Sequence, residues 1–155
     1  MKVKDLMQTN VAVLRDSDTL DAAEELMAVG WIRHLPVVDA DSQLLGMVTQ
    51  RDVFKASLSS VSRASENEQQ HWLSSVRVQD VMTKEVKTVD PEAELSEAVG
   101  ILLENKFGAL PVVTEKQLIG MLTETDMLHH LQQLLEKERR PQASGRTKTK
   151  QKPKA

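Results

Sequence analysis

Apolar and polar positions follow one order along the chain. Apolar runs at 35–38 and 44–48 are separated by a short polar turn, which predicts a buried hairpin. Ahead of them, Leu20, Ala23 and Met27 recur at helical spacing, and Gly30 is placed to end that helix. The predicted order is therefore a strand at 11–14, a helix from Asp18 to Gly30, strands at 34–38 and 44–49, and a helix from Asp52.

The second half of the chain repeats this order. A Val-x-Asp-x-Met motif at 3–7 recurs at 78–82, and Leu-Pro-Val-Val at 35–38 recurs at 110–113, both at a spacing of 75 residues. A Gly-x-x-Thr-x-x-Asp motif that begins at Gly46 recurs from Gly120. This period is too long for a solenoid repeat, so it predicts two duplicated modules packed on each other. The predicted elements of the second module are a strand at 86–89, a helix at 95–105, strands at 109–113 and 117–123, and a helix at 124–137.

Composition changes mark the boundaries of the modules. Residues 57–75 are rich in Ser, Glu and Gln, as expected of a linker, and we expect Trp72 to pack back on the body or on a second copy. From Arg139 onward the chain has seven basic residues and no acid, whereas 1–138 carry 13 basic against 23 acidic residues. The predicted division is a first module at 1–58, a linker at 59–75, a second module at 76–138 and a basic, disordered tail at 139–155.

Several classes of protein are disfavoured by composition. The chain has no cysteine, which rules out disulfides and thiolate metal sites, and only 3% aromatic residues, so the core must be aliphatic. No apolar run approaches the ~20 residues that cross a bilayer. The start of the chain lacks the apolar stretch of a signal peptide. We therefore expect a cytoplasmic protein without a membrane contact.

Catalytic and metal-binding patterns are also missing from the sequence. The histidines are His34, His71, His129 and His130. The adjacent pair on the last predicted helix points its side chains in different directions, which is poor spacing for metal ligands. There is no phosphate-binding glycine loop and no nucleophile elbow. We expect neither an enzyme nor a resident metal or cofactor.

The repeated motifs resemble a known family. Two copies of Val-x-Asp-x-Met, Leu-Pro-Val-Val and Gly-x-x-Thr-x-x-Asp, in that order, resemble a pair of CBS domains, or Bateman module, over about residues 1–135. Within that family the chain is similar to the small bacterial proteins of the acetoin-utilisation type. The resemblance implies an α+β fold in which two modules, each a small sheet with helices, pack about a pseudo-twofold axis. It also implies a homodimer, for which the last helix offers Leu128, Leu131 and Leu135 on one face.

The resemblance further implies adenosine compounds in the cleft between the modules, with one site per repeat. Asp52 and Asp126 match the residue that binds ribose, and Thr49 and Thr123 would donate to ribose or phosphate. The alternative for these residues is that they only cap helices. The expected adenine walls are Val11, Ile32 and Pro36 with the backbone of Arg33 and His34 in site one, and Val86, Phe107, Ala109 and Pro111 in site two.

The two copies of the Thr-x-x-Asp motif differ in charge. Arg51 lies within the first copy and Arg33 is predicted nearby, whereas the second copy contains Glu124 and has Lys106 as its candidate cation. Phosphate gains from an arginine fork and loses beside a carboxylate. We therefore expect AMP, ADP or ATP in site one, and in site two a weaker ligand, none, or an uncharged or cationic adenosyl group.

Two functions follow from this sequence. The first is a regulatory module that binds an adenosine nucleotide and signals to a partner protein, which the sequence does not identify, by a shift between conformations. The alternative is a non-catalytic interaction scaffold with vestigial sites, whose basic tail or dimer surface contacts the partner. The tail has the charge to hold nucleic acid but no aromatic residue for stacking, so a solubilising role is favoured over nucleic-acid binding.

Overall fold

The structure, a computed structural model, describes residues 1–59 and 65–139. Two modules make up this part of the chain, with the same order of elements except that the second lacks the first strand. The first consists of β1 (Leu14–Arg15), α1 (Leu20–Gly30), β2 (His34–Val38), β3 (Leu44–Thr49) and α2 (Gln50–Ser59). A connecting helix, α3 (Glu66–Leu73), follows, and the second consists of α4 (Leu95–Asn105), β4 (Ala109–Thr114), β5 (Gln117–Thr123) and α5 (Glu124–Arg139). Short 3₁₀ turns at Val3–Asp5 and Val78–Asp80 precede the modules, and the α+β prediction is confirmed.

Each module contains an antiparallel hairpin, β2–β3 or β4–β5. In the first module β1 adds to the hairpin in parallel to β2. The predicted strand at 86–89 is wrong as a strand, because only Val89 forms a bridge, with Val112. Pro91 stands where the first module has Asp16 and has no N–H to continue the ladder.

The helix ends and the linker also differ from the prediction. The left-handed residue that ends α1 is Trp31, with φ 53°, rather than Gly30, and the equivalent Lys106 ends α4 in the same way. Within the predicted linker, α3 is a full helix whose first turn is held by reciprocal bonds between Ser65 and Glu68. Trp72 donates from Nε1 to the carbonyl oxygen of Ala56, so it packs back on the first module.

Each module has its own aliphatic core, and each core contains a segment that belongs to the other repeat. Val3 is buried with Leu110 and Leu122 of the second module. In the same way Val78 is buried with Leu35 and Val48 of the first. The two repeats have therefore exchanged their first segments, so that neither core is complete without the other half of the chain.

The exchanged segments pair with the inner strands β3 and β5. Gln8 and Met121 exchange both backbone hydrogen bonds, at 2.8 and 2.9 Å, and Thr83 and Met47 do the same at 2.9 and 2.9 Å. Between these contacts Met47, Ala109 and Met121 form a third buried cluster at the junction of the modules. The two modules are thus joined by main-chain bonds as well as by apolar contact.

Glycines at equivalent positions permit this close approach. A Cβ added at Gly46 would lie 2.7 Å from the carbonyl oxygen of Thr83, and one at Gly120 would lie 2.8 Å from that of Gln8. Since the opposing atoms belong to hydrogen-bonded backbone, they have little room to withdraw. None of the helices among the described residues is long and apolar enough to cross a membrane.

We predict that Gly46→Ala and Gly120→Ala each lower the free energy of unfolding in urea by about 1–3 kcal/mol, because the added methyl group overpacks a main-chain contact. Gly100→Ala is the matched control, since a Cβ at this helical position meets no atom within 4 Å. That variant should be neutral or more stable by up to ~1 kcal/mol. Equal effects at all three positions would contradict the close-approach argument.

Candidate functional site

A cavity of about 750 Å³ lies between the modules. The first module contributes the end of β3 and the start of α2, with Thr49, Gln50 and Arg51. The second module contributes an apolar wall of Val86, Phe107, Ala109 and Pro111. The remaining residues around it are Arg33, His34, Met47, Phe54, Thr83, Glu85, Lys87, Lys106, Gly108 and Glu124. The cavity is therefore built from both repeats.

This arrangement corrects the expected grouping of the site residues. The sequence predicts that Thr49 faces the wall formed by Val11, Ile32 and Pro36, but none of those three residues lines the cavity. Pro36 is fully buried, Ile32 packs on the first core and Val11 packs on the cluster at the junction. The reason is the pairing of Thr83 with Met47, which brings the segment that carries Val86, and the second module's apolar wall with it, opposite Thr49.

Thr49 and Asp52 form a tight helix cap. One carboxylate oxygen of Asp52, Oδ2, accepts hydrogen bonds from the amide and the hydroxyl of Thr49, both at 2.8 Å. The hydroxyl in turn accepts from the Asp52 amide at 3.3 Å. Thr49 and Asp52 therefore do cap the helix, as the alternative interpretation of the Thr-x-x-Asp motif predicts. It uses only one oxygen, and Oδ1 of the half-buried Asp52 has no hydrogen-bond partner among residues 1–59 and 65–139.

Asp126 makes the same cap with Thr123, at 2.8 and 2.7 Å. Its other oxygen, however, accepts a hydrogen bond from the side-chain amide of Gln8 at 3.0 Å. The side chain is almost fully buried, at 9% exposure. Neither Thr123 nor Asp126 lines the 750 Å³ cavity, so the structure leaves these two predicted residues outside it.

Asp52 is likewise not in contact with the cavity directly, and it reaches the cavity rim through Thr49. The predicted residues that do line one cavity are Arg33, His34, Thr49, Arg51, Val86, Phe107, Ala109 and Pro111.

Cations outnumber carboxylates around the cavity. Arg33, Arg51, Lys87 and Lys106 line it, against Glu85 and Glu124. Lys106, which the sequence assigns to the second site, therefore lies around the same space as Arg51. The excess of positive charge is notable because residues 1–138 as a whole carry ten more acidic than basic residues. A cleft of positive sign in an acidic body favours an anionic ligand.

His34 lines this cleft, and its surroundings disfavour the charged ring. Burial lowers the pKa of His34 below its ordinary value of 6.5, and the neighbouring Arg33 lowers it further, whereas Glu124 and Asp52 act in the opposite direction. Its ring explains Gly108, since a Cβ there would lie 2.7 Å from Cε1 of His34. His34 thus helps to set the width of the cavity.

Several cavity residues are not singled out by the sequence motifs. Thr83, Glu85 and Lys87 belong to the segment that follows the second Val-x-Asp-x-Met motif, and Gly108 precedes the second Leu-Pro-Val-Val. Gln8 holds the position equivalent to Thr83 after the first motif. The repeat could have identified these residues, because the residues that follow a repeated motif occupy equivalent positions in the two modules.

No group of three or more His, Asp or Glu side chains within residues 1–59 and 65–139 is arranged to hold a metal ion. The adjacent His129 and His130 lie on α5, and neither lines the cavity. The chemistry that the cavity offers is recognition: apolar contact, hydrogen bonds and positive charge.

We predict that the NMR titration of His34 has its midpoint below 6.5, because burial disfavours the charged ring. The unfolded chain binds this proton at a higher pH than the folded chain does. The His34 contribution to stability is therefore lost as the pH falls below 6.5 towards the folded pKa. His34→Gln, which does not titrate, should lose less stability over that range in urea unfolding. A midpoint above 6.5 would contradict the lowered pKa of His34.

Comparison with known proteins agrees with this architecture. The family model of the CBS domain matches residues 3–59 and 78–133. The crystal structure of a putative acetoin utilization protein from Vibrio cholerae superimposes with a TM-score of 0.75 at 35% identity, covering 91% of this chain and 98% of that one. The CBSX2 structure in complex with AMP superimposes with a TM-score of 0.71 at 31% identity, covering 86% and 98%.

A curated relative, an uncharacterized protein of Methanocaldococcus jannaschii, is 30% identical over 126 residues, which is 81% of this chain. The chain spans only 41% of the length of that relative. Both halves of the chain thus match the same domain model, and the fold agrees with that of the solved neighbours. The chain belongs to the CBS domain family and comprises a pair of CBS domains.

Proposed function

We propose that this CBS pair is a regulatory module that binds a phosphorylated adenosine compound, such as AMP, ADP or ATP, in the cavity between its modules. The observation that carries the proposal is the composition of that cavity. It combines an apolar wall, a Thr-Asp pair with an unoccupied carboxylate oxygen at its rim, and an excess of cations.

The apolar wall fits a purine ring. Val86, Phe107 and Pro111 offer aliphatic and aromatic surface from the second module, as flat heterocycles require. On the opposite side, Oδ1 of Asp52 is free to accept a hydrogen bond from a ribose hydroxyl. A carboxylate already fixed by two bonds to Thr49 loses little further freedom when it binds, which favours affinity.

The cations fit the phosphate. Arg33 and Arg51 can donate to phosphate oxygens in pairs, and Lys87 and Lys106 add charge to the same cleft. The N-terminus of α2, directly after Thr49, adds free amides of positive character. These groups favour a nucleotide over an uncharged nucleoside.

The AMP complex of CBSX2 supports the choice of ligand class, since that protein shares the fold at 31% identity. The mechanism of regulation follows from where the cavity lies. A ligand there touches both modules, so it binds best to one relative arrangement of them and shifts the population towards it. A partner protein that contacts both modules would read this shift.

The test is isothermal titration calorimetry with AMP on wild type, Asp52→Asn and Asp126→Asn. We expect Asp52→Asn to weaken AMP binding roughly 10- to 100-fold, since a hydrogen bond to a charged group is removed. Asp126→Asn is the matched control and should bind AMP like wild type, because Gln8 already occupies Oδ1 of Asp126. Its cap partner Thr123 also does not line the cavity, whereas Thr49, the cap partner of Asp52, does. An equal loss in both variants, or no binding by wild type, would refute the proposed site.

Adenosine and the variant Arg33→Ala/Arg51→Ala complete that experiment. The charge argument requires that wild type prefers AMP to adenosine and that the double variant loses this preference. A preference that survives the loss of both arginines would show that the phosphate lies elsewhere.

The last helix supports a proposal about assembly. Leu128, Leu131, Leu134 and Leu135 of α5 are exposed in the single chain. A continuous apolar helix face is more often covered than left to water. We therefore propose a homodimer in which α5 lies at the interface.

Sedimentation velocity tests this assembly. Wild type should sediment as a dimer and Leu131→Glu as a monomer, because a carboxylate cannot be buried there unpaired. Leu103→Glu, an exposed leucine on α4, is the control and should leave the dimer intact. A monomeric wild type would make the proposal wrong.

The interaction scaffold remains the second candidate. The exposed apolar face of α5 is the observation in its favour, since such a face can bind a partner protein as well as a second copy of this chain. The basic tail lies outside the described residues except for Arg139.

A further inference from the structure

The two halves of the cleft share one backbone arrangement, and one pair of equivalent positions in it carries different side chains, Gln8 and Thr83. Gln8 pairs through its backbone with Met121, and Thr83 pairs in the same way with Met47. Each of these two residues precedes the first residues of an apolar wall and lies near the inner strand that leads to a Thr-x-x-Asp motif. Gln8 and Thr83 are therefore structural equivalents, and the comparison between them isolates the effect of the side chain.

Their side chains treat the equivalent carboxylates differently. The amide nitrogen of Gln8 donates to Oδ1 of Asp126 at 3.0 Å. Thr83 lines the open cavity, and no hydrogen bond joins it to Asp52 among the described residues. The oxygen that Gln8 occupies on Asp126 is thus the one that Asp52 leaves free.

We infer that Gln8 is a built-in occupant of a second, closed ligand site at Asp126. Its amide takes the place on Asp126 that the proposed ribose hydroxyl takes on Asp52, so the chain holds one nucleotide at a time. This inference rests on the proposed function for its ligand class. A compound that enters the second site must first displace Gln8. Its apparent affinity is therefore the intrinsic affinity multiplied by the fraction of chains in which Gln8 has left Asp126.

The charges of the second site indicate which ligand it takes when open. The positions equivalent to Arg51, Lys87 and Lys106 are occupied by Thr125, Ala12 and Trp31. The position equivalent to Arg33 is Gly108, so none of the four cations around the first cavity has a cationic equivalent. The lining carboxylates Glu85 and Glu124 are likewise replaced, by Asn10 and Gln50, and Arg33 itself takes the position equivalent to Gly108. With one cation at these positions in place of four, the second site holds a phosphate less well and selects an uncharged nucleoside, adenosine, over AMP.

The experiment exchanges the two side chains. Equilibrium dialysis of the full chain with AMP and with adenosine gives the number of sites in wild type, Gln8→Thr and Thr83→Gln. Wild type should bind one AMP. Gln8→Thr should keep that site and gain a second site for adenosine, with at least tenfold tighter binding than the wild-type second site allows. Thr83→Gln should weaken AMP at least tenfold, because the longer side chain reaches Asp52 as Gln8 reaches Asp126.

The added site is located by a further substitution. In Gln8→Thr/Asp126→Ala the adenosine site should disappear while the AMP site stays. Retention of the adenosine site in that variant, or a second site already open in wild type, would overturn the inference. So would a Gln8→Thr variant that binds no more adenosine than wild type.

A measurement without ligand separates this inference from the proposed function. The side-chain amide protons of Gln8, assigned by their loss in Gln8→Thr, should exchange slowly by NMR in wild type and faster in Asp126→Ala. Fast exchange in wild type would overturn the inference whatever the nucleotide does. If the amide is protected and Gln8→Thr gains adenosine while wild type binds no AMP, the inference holds and the proposed function fails. If wild type binds one AMP and Gln8→Thr gains no adenosine site, the proposed function holds and the inference fails.

Discussion

The pairing of each module's first segment with the inner strand of the other module is the constraint on which the rest of the structure depends. Two residues exchange both of their backbone bonds on each side of the pseudo-twofold axis, Gln8 with Met121 and Thr83 with Met47. These bonds need a glycine in each inner strand, since any Cβ there would meet a carbonyl oxygen at 2.7–2.8 Å. The two cores are completed by the same segments, so neither half is a self-sufficient folding unit.

This exchange also creates the cavity. It brings Val86 and the Phe107 region of the second module opposite Thr49 and Arg51 of the first, at the start of α2. A site that spans two modules couples ligand binding to their relative position, which is what a sensor needs. A site held within one module would not impose this coupling.

The Thr-x-x-Asp motif shows how a helix cap and a binding group can be the same residue. The cap uses one carboxylate oxygen and fixes the side chain, and the second oxygen is left for another donor. In the first copy that position is open. In the second copy Gln8 donates to it, so the two copies of the motif differ in whether the second oxygen has a hydrogen-bond donor within the chain. The excess of cations likewise surrounds the cavity beside the first copy of the motif.

The repeat, the α+β order and most element bounds follow from local pattern, because hydrophobic period and turn chemistry act within a few residues. Leu95–Asn105 and Gln117–Thr123 lie where the sequence places them. The predicted strand at 86–89 is wrong, because the pairing with β4 is limited to the bridge between Val89 and Val112. Pro91 has no N–H with which to extend this pairing beyond Val89. The predicted end of α1 at Gly30 failed by one residue, as Trp31 adopts the left-handed conformation without being a glycine.

The sequence by itself determined which residues are chemically equivalent: one proline, one threonine and one aspartate in each repeat, at matching positions. Only the tertiary structure decided which of them share a site. Thr49 lies with Val86 and Pro111 rather than with Val11 and Pro36, and Lys106 lies with Arg51. The physical reason is that the cross-pairing joins residues far apart in the chain, 36 positions for Met47 with Thr83 and 113 for Gln8 with Met121. Such contacts depend on how whole modules pack, which no local pattern of apolar and polar residues encodes.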